Sequence, residues 1–315
     1  MARLVVLIDK AHPILESALQ EMGFECADHQ HTPPSELLPH LQKAFGWIIR
    51  SRINVDQSLL DQCPDLRFIG RMGIGLEHID VDHAVQKGVQ VFNSPEGSKD
   101  TVAEHAIGLL LGLMHCIGRA HQQVVEGKWQ REENKAFELR HRTVGIVGYG
   151  NIGQEVAKRL AGFGCRVLAY DKFRTHYGDN FAREATLQEL FEEADIITLH
   201  IPYLPENYHF VNRQFLQKFK KPIFLINTSR GLVLDTAALK DALESGRILG
   251  AGLDVIEYEE QSFAKLEVNQ LPEAFQYLRH SDRVLITPHI AGLSHEVMES
   301  HAAVLADKIK SAFPG

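Results

Sequence analysis

Short β-rich runs alternate with helical patterns along the whole chain. The first series has predicted strands at 4–8, 47–50, 66–71 and 89–92 and helices at 13–21, 54–61 and 80–87. The second series has predicted strands at 143–147, 166–170, 195–200, 223–227, 250–253 and 284–287 and helices at 152–163, 187–192, 213–219, 236–245 and 294–312. Strands that alternate with helices predict parallel sheets with helices on both faces.

Several helix ends carry capping signals. Pro13 lies at the start of the first helix, and Asx residues lie near the starts of the helices at 54–61 and 80–87. Gly88 stands where a C-terminal cap is expected. Thr186 and Glu189 have the spacing of a capping box.

A long helical pattern runs from Asp100 to about Glu126 and is apolar on nearly all sides. Such a helix must be buried nearly all round, either at the centre of a domain or at a subunit interface. The pattern alone favours neither. The segment 259–280, by contrast, is polar and irregular, and we expect a surface excursion there.

The composition is that of a globular protein of about two domains. The chain has 315 residues, of which 44% are hydrophobic and 23% are charged, which excludes disordered and fibrous classes. The net charge of −8 argues against nucleic-acid and membrane-surface partners, since both need a basic face. A few local arginines can still bind a small anionic substrate.

The four cysteines are widely spaced and predict neither a metal site nor disulfides. Reduced thiols indicate a cytoplasmic protein. The N-terminus does not have the pattern of a secretory signal. The apolar stretch at 106–118 is too short to span a bilayer, which needs about 20 residues.

The strongest motif is VGIVGYGNIG at 144–153, which places GxGxxG between a predicted strand and a predicted helix. This is the context that a dinucleotide-binding turn requires. Gly148 allows the tight turn, Gly150 lets the backbone approach a pyrophosphate, and Gly153 lets the helix pack on the strand. The helix N-terminus supplies N–H groups and a positive dipole end.

The next predicted strand is followed by Asp171, about 20 residues after the glycines, as expected for an acid that binds a ribose hydroxyl. An acid at this place repels a 2′-phosphate, so NAD is predicted rather than NADP. Lys172 and Arg174 follow and weaken that preference.

Three later segments end predicted strands and carry candidate catalytic residues. They contain Arg230, Asp254 with Glu259, and His289. Ligands of open α/β sheets bind at the carboxyl ends of strands. An arginine binds a carboxylate, a histidine exchanges a proton near neutral pH, and a nearby carboxylate orients the imidazole. With NAD, these are the parts needed to oxidise a hydroxy acid.

The motifs resemble those of the D-isomer-specific 2-hydroxyacid dehydrogenases over essentially the whole chain. They read GRMGIGLEHID at 70–80, FNSPEGSKDTVAEHAIGLLL at 92–111, EGKW at 126–129, then GYGNIG, NTSRG, GLDV and TPHIAG. The resemblance implies that Arg230, Glu259 and His289 are catalytic. One departure is that Glu260, rather than the family's proline, follows Glu259, and Glu257 also lies close by.

The resemblance also implies a set of cofactor contacts, which comprises Gly148, Gly150, Asn151, Ile152, Gly153, Asp171, Pro202, Thr228, Ser229, Arg230, Asp254, His289, Ile290, Ala291 and Gly292. We expect an NAD-binding Rossmann domain at 99–288, inserted into a flavodoxin-like substrate domain formed by 1–98 and 289–315. Members of the family are typically dimers through the nucleotide domain, so a homodimer that uses the long helix is expected, with a tetramer as the alternative, and no metal is required.

Substrate choice is expected to come from the first domain. Arg50-Ser51-Arg52 resembles the phosphate-binding stretch of D-3-phosphoglycerate dehydrogenases, and Gly73-Ile74-Gly75 offers backbone N–H groups to a carboxylate. Oxidation of D-3-phosphoglycerate to 3-phosphohydroxypyruvate, a step of serine biosynthesis, is the first hypothesis. Because side chains alternate along a strand, the two arginines need not share a face.

Two alternatives stay open. The first is a reductase of a small unphosphorylated 2-keto acid such as glyoxylate or hydroxypyruvate, and the second is a non-catalytic NAD-binding scaffold. With 315 residues, the chain has no length left for a C-terminal regulatory domain, so feedback inhibition through such a domain is not expected.

Overall fold

The computed structural model describes residues 3–259 and 267–314. Among these, residues 3–99 with 293–314 form one compact unit, and residues 100–259 with 267–292 form a second. Each unit is built on one sheet, of five strands in the first and seven in the second, and the named strands pair in parallel. The predicted fold class, two α/β domains with parallel sheets, is confirmed.

The elements follow the chain as a regular alternation. The first 99 residues contain β1 Arg3–Leu7, α1 Pro13–Glu21, β2 Phe24–Asp28, α2 Leu38–Leu41, β3 Gly46–Ile49, α3 Gln57–Asp61, β4 Phe68–Arg71, α4 Val81–Gln86 and β5 Gln90–Asn93. Next come α5 Lys99–Met114, α6 Ile117–Val125, β6 Thr143–Val147, α7 Asn151–Leu160, β7 Arg166–Tyr170, β8 Arg183–Glu184, α8 Leu187–Glu193, β9 Ile196–Leu199, α9 Arg213–Gln217, β10 Ile223–Asn227, α10 Thr236–Glu244, β11 Ile248–Leu253, α11 Glu273–His280, β12 Val284–Ile286 and α12 Val297–Ala312. Short 3-10 turns lie at Pro34–Glu36, Pro95–Gly97, Glu132–Asn134, Ala161–Phe163, Pro205–Asn207, Gly231–Val233 and Val268–Gln270.

The two sheets have different strand orders. The first unit has the order β2-β1-β3-β4-β5, the flavodoxin-like arrangement, and α12 packs on its sheet through Leu305 and Ile309. The second unit has the order β12-β11-β10-β9-β6-β7-β8, in which the strand order reverses between β6 and β9. Ligands of doubly wound sheets bind at this reversal, outside the carboxyl ends of the strands.

The predicted helix caps form as the sequence indicates. The side chains of Asp56 and Asp80 accept hydrogen bonds from N–H groups of the first turns of α3 and α4. Gly88 follows α4 with φ +76°, and Thr186 forms a full capping box with Glu189 at the start of α8. These local signals are confirmed because each satisfies N–H or C=O groups that a helix end leaves open.

Two sequence-based expectations need correction. The long helix predicted from Asp100 to about Glu126 is two helices, α5 and α6, bent by 61° at Cys116, whose φ is +55°. The stretch expected to be irregular up to His280 contains the helix α11, which packs through Phe275 and Leu278. Residues 260–266 of that stretch lie outside the described residues.

The helix α5 is a buried element of the second unit. Its buried side chains include Ala106, Leu110 and Met114, which pack with Val144 and Ile146 of β6. In the described ranges, no single helix has the length and apolar content to span a membrane, and only the bent pair of α5 and α6 meets that test together.

Candidate active site

The glycine turn after β6 has the backbone geometry of a phosphate-binding loop. Gly148 has φ +94°, and a Cβ there would lie 2.5 Å from the carbonyl oxygen of His200. A Cβ at Gly153 would lie 2.2 Å from the carbonyl oxygen of Gly148, so α7 approaches the turn closely. Gly150 is the N-cap of α7, and open space surrounds its missing Cβ. The turn therefore presents N–H groups to an open region, as pyrophosphate binding requires.

Asp171, which follows β7, is hydrogen-bonded to this turn. One carboxylate oxygen of Asp171 accepts from the N–H of Tyr149 at 2.9 Å, and the other accepts from the N–H groups of Phe173 and Arg174. The guanidinium of Arg174 donates to the carbonyl oxygen of Tyr149. The side chain expected at the ribose thus stands beside the glycine turn, with an arginine close to it.

Further cofactor-contact candidates lie at neighbouring strand ends. Asn151 and Ile152 open α7, and Pro202 follows β9. Thr228 follows β10, and among the described residues its buried hydroxyl oxygen has no hydrogen-bond partner. A buried hydroxyl without a partner is costly unless a ligand supplies one. Together with the glycine turn, this orphaned hydroxyl fits a bound dinucleotide.

Ser229 has a different role from Thr228, because its polar groups are bonded within the protein. Its hydroxyl donates to Oδ1 of Asn227 at 2.7 Å, and its N–H bonds the same oxygen at 3.0 Å. The amide nitrogen of Asn227 donates to the carbonyl oxygen of Arg230 at 3.1 Å. Asn227, which the sequence analysis did not single out, therefore shapes the turn that carries Arg230.

Glu259 and His289, which follow β11 and β12, come together. Oε2 of Glu259 contacts Nδ1 of His289, and Oε1 of Glu259 accepts from the N–H of Ile256 at 2.5 Å. Glu257 instead contacts Nε2 of His209 at 2.7 Å. Of these two neighbouring carboxylates, Glu259 is thus the one placed to orient His289. Glu260 lies outside the described residues.

Asp254 holds the segment that carries His289. Its buried carboxylate accepts from the Thr287 hydroxyl at 2.5 Å and from the N–H groups of Ile290 and Ala291 at 2.9 and 2.8 Å. Burial alone would raise the pKa of this carboxyl, but the hydrogen bonds, His105 first among them, hold the pKa below its usual value. In the structure, Asp254 is therefore occupied by protein groups rather than turned toward a ligand.

The main chain next to Arg230 packs against the segment that carries Glu259. A Cβ at Gly231 would lie 1.9 Å from the carbonyl oxygen of Ile256. One guanidinium nitrogen of Arg230 donates to the carbonyl oxygen of Ser229 at 2.8 Å. The strands β10, β11 and β12 are neighbours in the sheet, so Arg230, Glu259 and His289 all follow its adjacent carboxyl ends.

His200 follows β9 and does not have the properties of an acid–base residue. Burial lowers the pKa of its imidazole to about 3, and Nε2 lies 2.9 Å from the hydroxyl of Thr198. Such a ring stays neutral at physiological pH. His200 is therefore a packing residue rather than a second acid–base group.

In the first unit, one of the two predicted phosphate-binding arginines, Arg52, bonds groups of the same unit through its side chain. The guanidinium of Arg52 donates to the carbonyl oxygens of Gln30 at 2.5 Å and His29 at 2.9 Å, and its Nε lies 3.8 Å from the Asp9 carboxylate. The N–H of Arg50 donates to the same carboxylate at 2.5 Å. Arg52 is therefore engaged with its own domain.

In the loop predicted to bind a carboxylate, the N–H groups differ in whether other protein groups bond them. The N–H of Gly73 bonds the hydroxyl of Ser94 at 2.9 Å, whereas among the described residues those of Ile74 and Gly75 make no hydrogen bond. Ser94 in turn contacts Nδ1 of the buried His301 at 2.9 Å. His301, which the sequence analysis did not notice, supports this loop from α12.

Comparison with known proteins decides the family. Residues 107–291 match the family model described as the NAD binding domain of D-isomer specific 2-hydroxyacid dehydrogenases. A hydroxypyruvate reductase of Thermotoga maritima is 36% identical over 280 residues, which cover 89% of this chain and 88% of the relative. The chain belongs to the D-isomer specific 2-hydroxyacid dehydrogenase family.

Two further relatives show the range within this dehydrogenase family. A D-3-phosphoglycerate dehydrogenase of Archaeoglobus fulgidus is 33% identical over 310 residues, which cover 97% of this chain but only 57% of that relative. The crystal structure of a D-lactate dehydrogenase from Aquifex aeolicus, complexed with NAD and lactic acid, has a TM-score of 0.80 at 30% identity, covering 98% of this chain and 95% of that one. The predicted family and its NAD-binding domain are confirmed.

Proposed function

We propose that this dehydrogenase catalyses hydride transfer between NAD(H) and a D-2-hydroxy acid or its 2-keto acid, with Arg230, Glu259 and His289 as catalytic residues. The observation that carries the proposal is the contact of the Glu259 carboxylate with Nδ1 of His289. A carboxylate on Nδ1 selects the tautomer and orientation of the ring and stabilises its charged form.

In the proposed mechanism, Nε2 of His289 exchanges a proton with the substrate oxygen. Glu259 stabilises the imidazolium that forms when the hydroxy acid is oxidised, and the ring returns this proton in the reverse direction. Arg230 binds the substrate carboxylate and polarises the reacting oxygen. When bound, the nicotinamide accepts or supplies the hydride.

We infer that the proposed cofactor contacts act in two ways. The glycine turn, Asn151, Ile152, Asp171, Pro202 and Thr228 would contact the dinucleotide directly. Asp254, Ser229, Ala291 and Gly292 would support the turns that face it, since Asp254 accepts from the N–H of Ala291 and Ser229 bonds Asn227. The negative charge of Asp171 favours NAD over NADP.

For the substrate, we propose a small unphosphorylated 2-keto acid of the hydroxypyruvate or glyoxylate type. The N–H groups of Ile74 and Gly75 would bind its carboxylate. The contacts of Arg52 favour an unphosphorylated substrate, because its guanidinium already bonds two carbonyl oxygens and lies near Asp9. A phosphate dianion would have to displace these bonds and would meet the carboxylate. 3-Phosphohydroxypyruvate is the second candidate, favoured by the cationic Arg50-Ser51-Arg52 stretch.

A substrate panel tests both parts of the proposal. NADH oxidation is followed with hydroxypyruvate, glyoxylate, pyruvate and 3-phosphohydroxypyruvate as acceptors. We expect the highest kcat/KM with an unphosphorylated acid. A kcat/KM at least tenfold higher for the phosphorylated acid would reverse the substrate assignment. Absence of turnover with every acid, while NADH still binds, would contradict the enzymatic function and support an NAD-binding scaffold.

We also propose a homodimer that uses α6 and the segment after it. Exposed apolar side chains lie there, namely Ile117, Val124, Val125 and Trp129, of which Trp129 is 82% exposed. Exposed apolar groups of this kind are typical of protein interfaces. Light scattering should give about twice the mass of the 35.4 kDa chain. A monomeric mass would contradict the dimer.

A further inference from the structure

A second histidine–carboxylate pair lies in the same loops as the proposed catalytic one. Nε2 of His209 contacts Oε2 of Glu257 at 2.7 Å. The two side chains are 26% and 13% exposed, so water screens their interaction only in part. Glu257 stands two residues before Glu259, and neither member of this pair belongs to the proposed catalytic set.

The main chain of His209 is bound to the segment that follows Arg230. Its N–H donates to the carbonyl oxygen of Leu232 at 2.9 Å, and the N–H of Val211 donates to the carbonyl oxygen of Val233 at 2.9 Å. His209 also has φ +47°, a left-handed conformation that costs a non-glycine residue free energy. A residue kept in this conformation is held by its surroundings, and such residues cluster at functional sites.

The segments after β10 and β11 also touch each other directly. At Gly231 there is no room for a Cβ beside the carbonyl group of Ile256. The N–H of Ile256 donates to the carboxylate of Glu259. His209 therefore joins two segments, one through its main chain and one through its imidazole, that carry Arg230 and Glu259.

The surroundings of His209 favour this link. Its Nδ1 lies 3.9 Å from the Asp235 carboxylate, so the ring stands between two acids. The ring of Tyr208 stacks on the imidazole with centroids 4.0 Å apart and an interplanar angle of 14°. Stacking and two acidic neighbours restrict the ring to one orientation.

We propose that His209 and Glu257 form a positioning pair that sets the Glu259 carboxylate and Arg230 in register for catalysis. This inference rests on the proposed function, because it presumes that Arg230, Glu259 and His289 react with substrate. The pair itself touches no reacting atom. It acts by fixing the ends of two neighbouring strands, where a displacement of about 1 Å lowers rates about 100-fold.

Three variants test the pair. His209→Gly removes the imidazole and suits the left-handed backbone, Glu257→Ala removes the carboxylate, and Glu257→Gln keeps a hydrogen bond to the ring. We expect kcat to fall about 10- to 100-fold in the first two, with a raised KM for the keto acid and an unchanged Kd for NADH. Glu257→Gln should keep about a third or more of the wild-type kcat. The double variant should be no worse than either single one.

The control is Asp61→Ala, which, like Glu257→Ala, removes the carboxylate of a histidine–carboxylate pair; this one joins His83 and Asp61 in the first unit, where the two atoms are 2.9 Å apart. It should leave kcat and KM unchanged. Values of kcat and KM within twofold of the wild type in both His209→Gly and Glu257→Ala would overturn the proposal. So would an equal loss in the control.

A second readout does not depend on turnover. In protein labelled with ¹⁵N-histidine, the resonance lost in His289→Asn reports the contact of Nδ1 with Glu259. We expect this resonance to shift in Glu257→Ala and to stay in place in Asp61→Ala. If the resonance did not move in Glu257→Ala, the positioning role would be overturned. This holds even if the protein reduces no keto acid, in which case the proposed function fails separately.

Discussion

The carboxylate of Glu259 contacts Nδ1 of His289, and the main chain of His289 is held by Asp254. The N–H of His289 donates to the Asp254 carbonyl oxygen at 2.8 Å, and the φ of His289 is +53°. A left-handed histidine between two fixed contacts cannot turn its ring freely. The ring orientation is therefore set by the protein before any ligand binds.

The His289→Asn variant should lose catalysis and keep cofactor binding. Asparagine tolerates the left-handed backbone but exchanges no proton near neutral pH, so we expect kcat to fall about 10²- to 10⁴-fold. Steady-state kinetics with the best acceptor of the substrate panel gives kcat, and NADH fluorescence gives Kd. A Kd raised as strongly as kcat is lowered would show that His289 serves cofactor binding instead.

Gly231→Ala should separate the segments that carry Arg230 and Glu259. The new Cβ would lie 1.9 Å from the Ile256 carbonyl oxygen, so one main chain must move. We expect a kcat lower by about 10- to 100-fold and a raised KM for the keto acid. The matched control is Gly108→Ala in α5, where nothing lies within 4 Å of the added Cβ. Equal kinetics in the two variants would contradict the close packing at Gly231.

Asp171→Asn should weaken the preference for NADH over NADPH. The amide oxygen can still accept a main-chain N–H, but the negative charge near the expected 2′-phosphate is gone, and Arg174 stays beside it. We expect the Kd for NADPH to fall about tenfold, with a change of less than about threefold for NADH. Fluorescence titration measures both constants.

The control for Asp171 is Asp179→Asn on the same loop. Asp179 accepts from the Tyr149 hydroxyl at 2.9 Å and has no predicted cofactor contact. If Asp179→Asn improved NADPH binding as much as Asp171→Asn, a general change of loop charge, rather than an acid at the ribose, would explain the preference.

The parts of the fold that depend on local pattern were predictable. Alternating strands and helices, the caps of α3, α4 and α8 and the glycine turn all follow from hydrophobic period and hydrogen-bonding residues within a few positions. The break between α5 and α6 was not, because Cys116 in a left-handed conformation has no local signal of the kind that glycine gives. The short edge strand β8 also lacks the length that makes a pattern visible.

The site shows the same division. Arg230, Glu259 and His289 follow strands and were predicted with the motifs that carry them. The partners that hold them were not. His105 and His209 act through contacts between segments far apart in the chain, whereas Asn227 shapes the turn before Arg230 through local hydrogen bonds. The engagement of Arg52 with the carbonyl groups at 29 and 30 likewise depends on tertiary packing. The sequence alone does not indicate such contacts, because they form only when distant segments pack together in the folded protein.

The buried His301 makes the stability of the first unit depend on pH. Burial lowers the pKa of its imidazole to about 4, and the hydrogen bond to Ser94 opposes this in part. The unfolded chain has the usual histidine pKa of about 6.5, so it binds a proton more readily than the folded one. The stability that this difference contributes is present above about pH 6.5 and is lost as the pH falls toward about 4.

Between pH 7 and pH 5, we expect His301 to lower the free energy of unfolding by about 2 kcal/mol. Urea unfolding followed by the fluorescence of Trp47, which is buried in the first unit, measures this in a Trp129→Phe background. His301→Asn keeps an amide at the position of Nδ1 but does not titrate. Between pH 7 and pH 5, its free energy of unfolding should therefore fall by about 2 kcal/mol less than that of the protein with His301. Parallel losses in the two proteins would mean that other groups of the unit, such as His29 and His78, whose pKa values burial also lowers, cause the acid sensitivity.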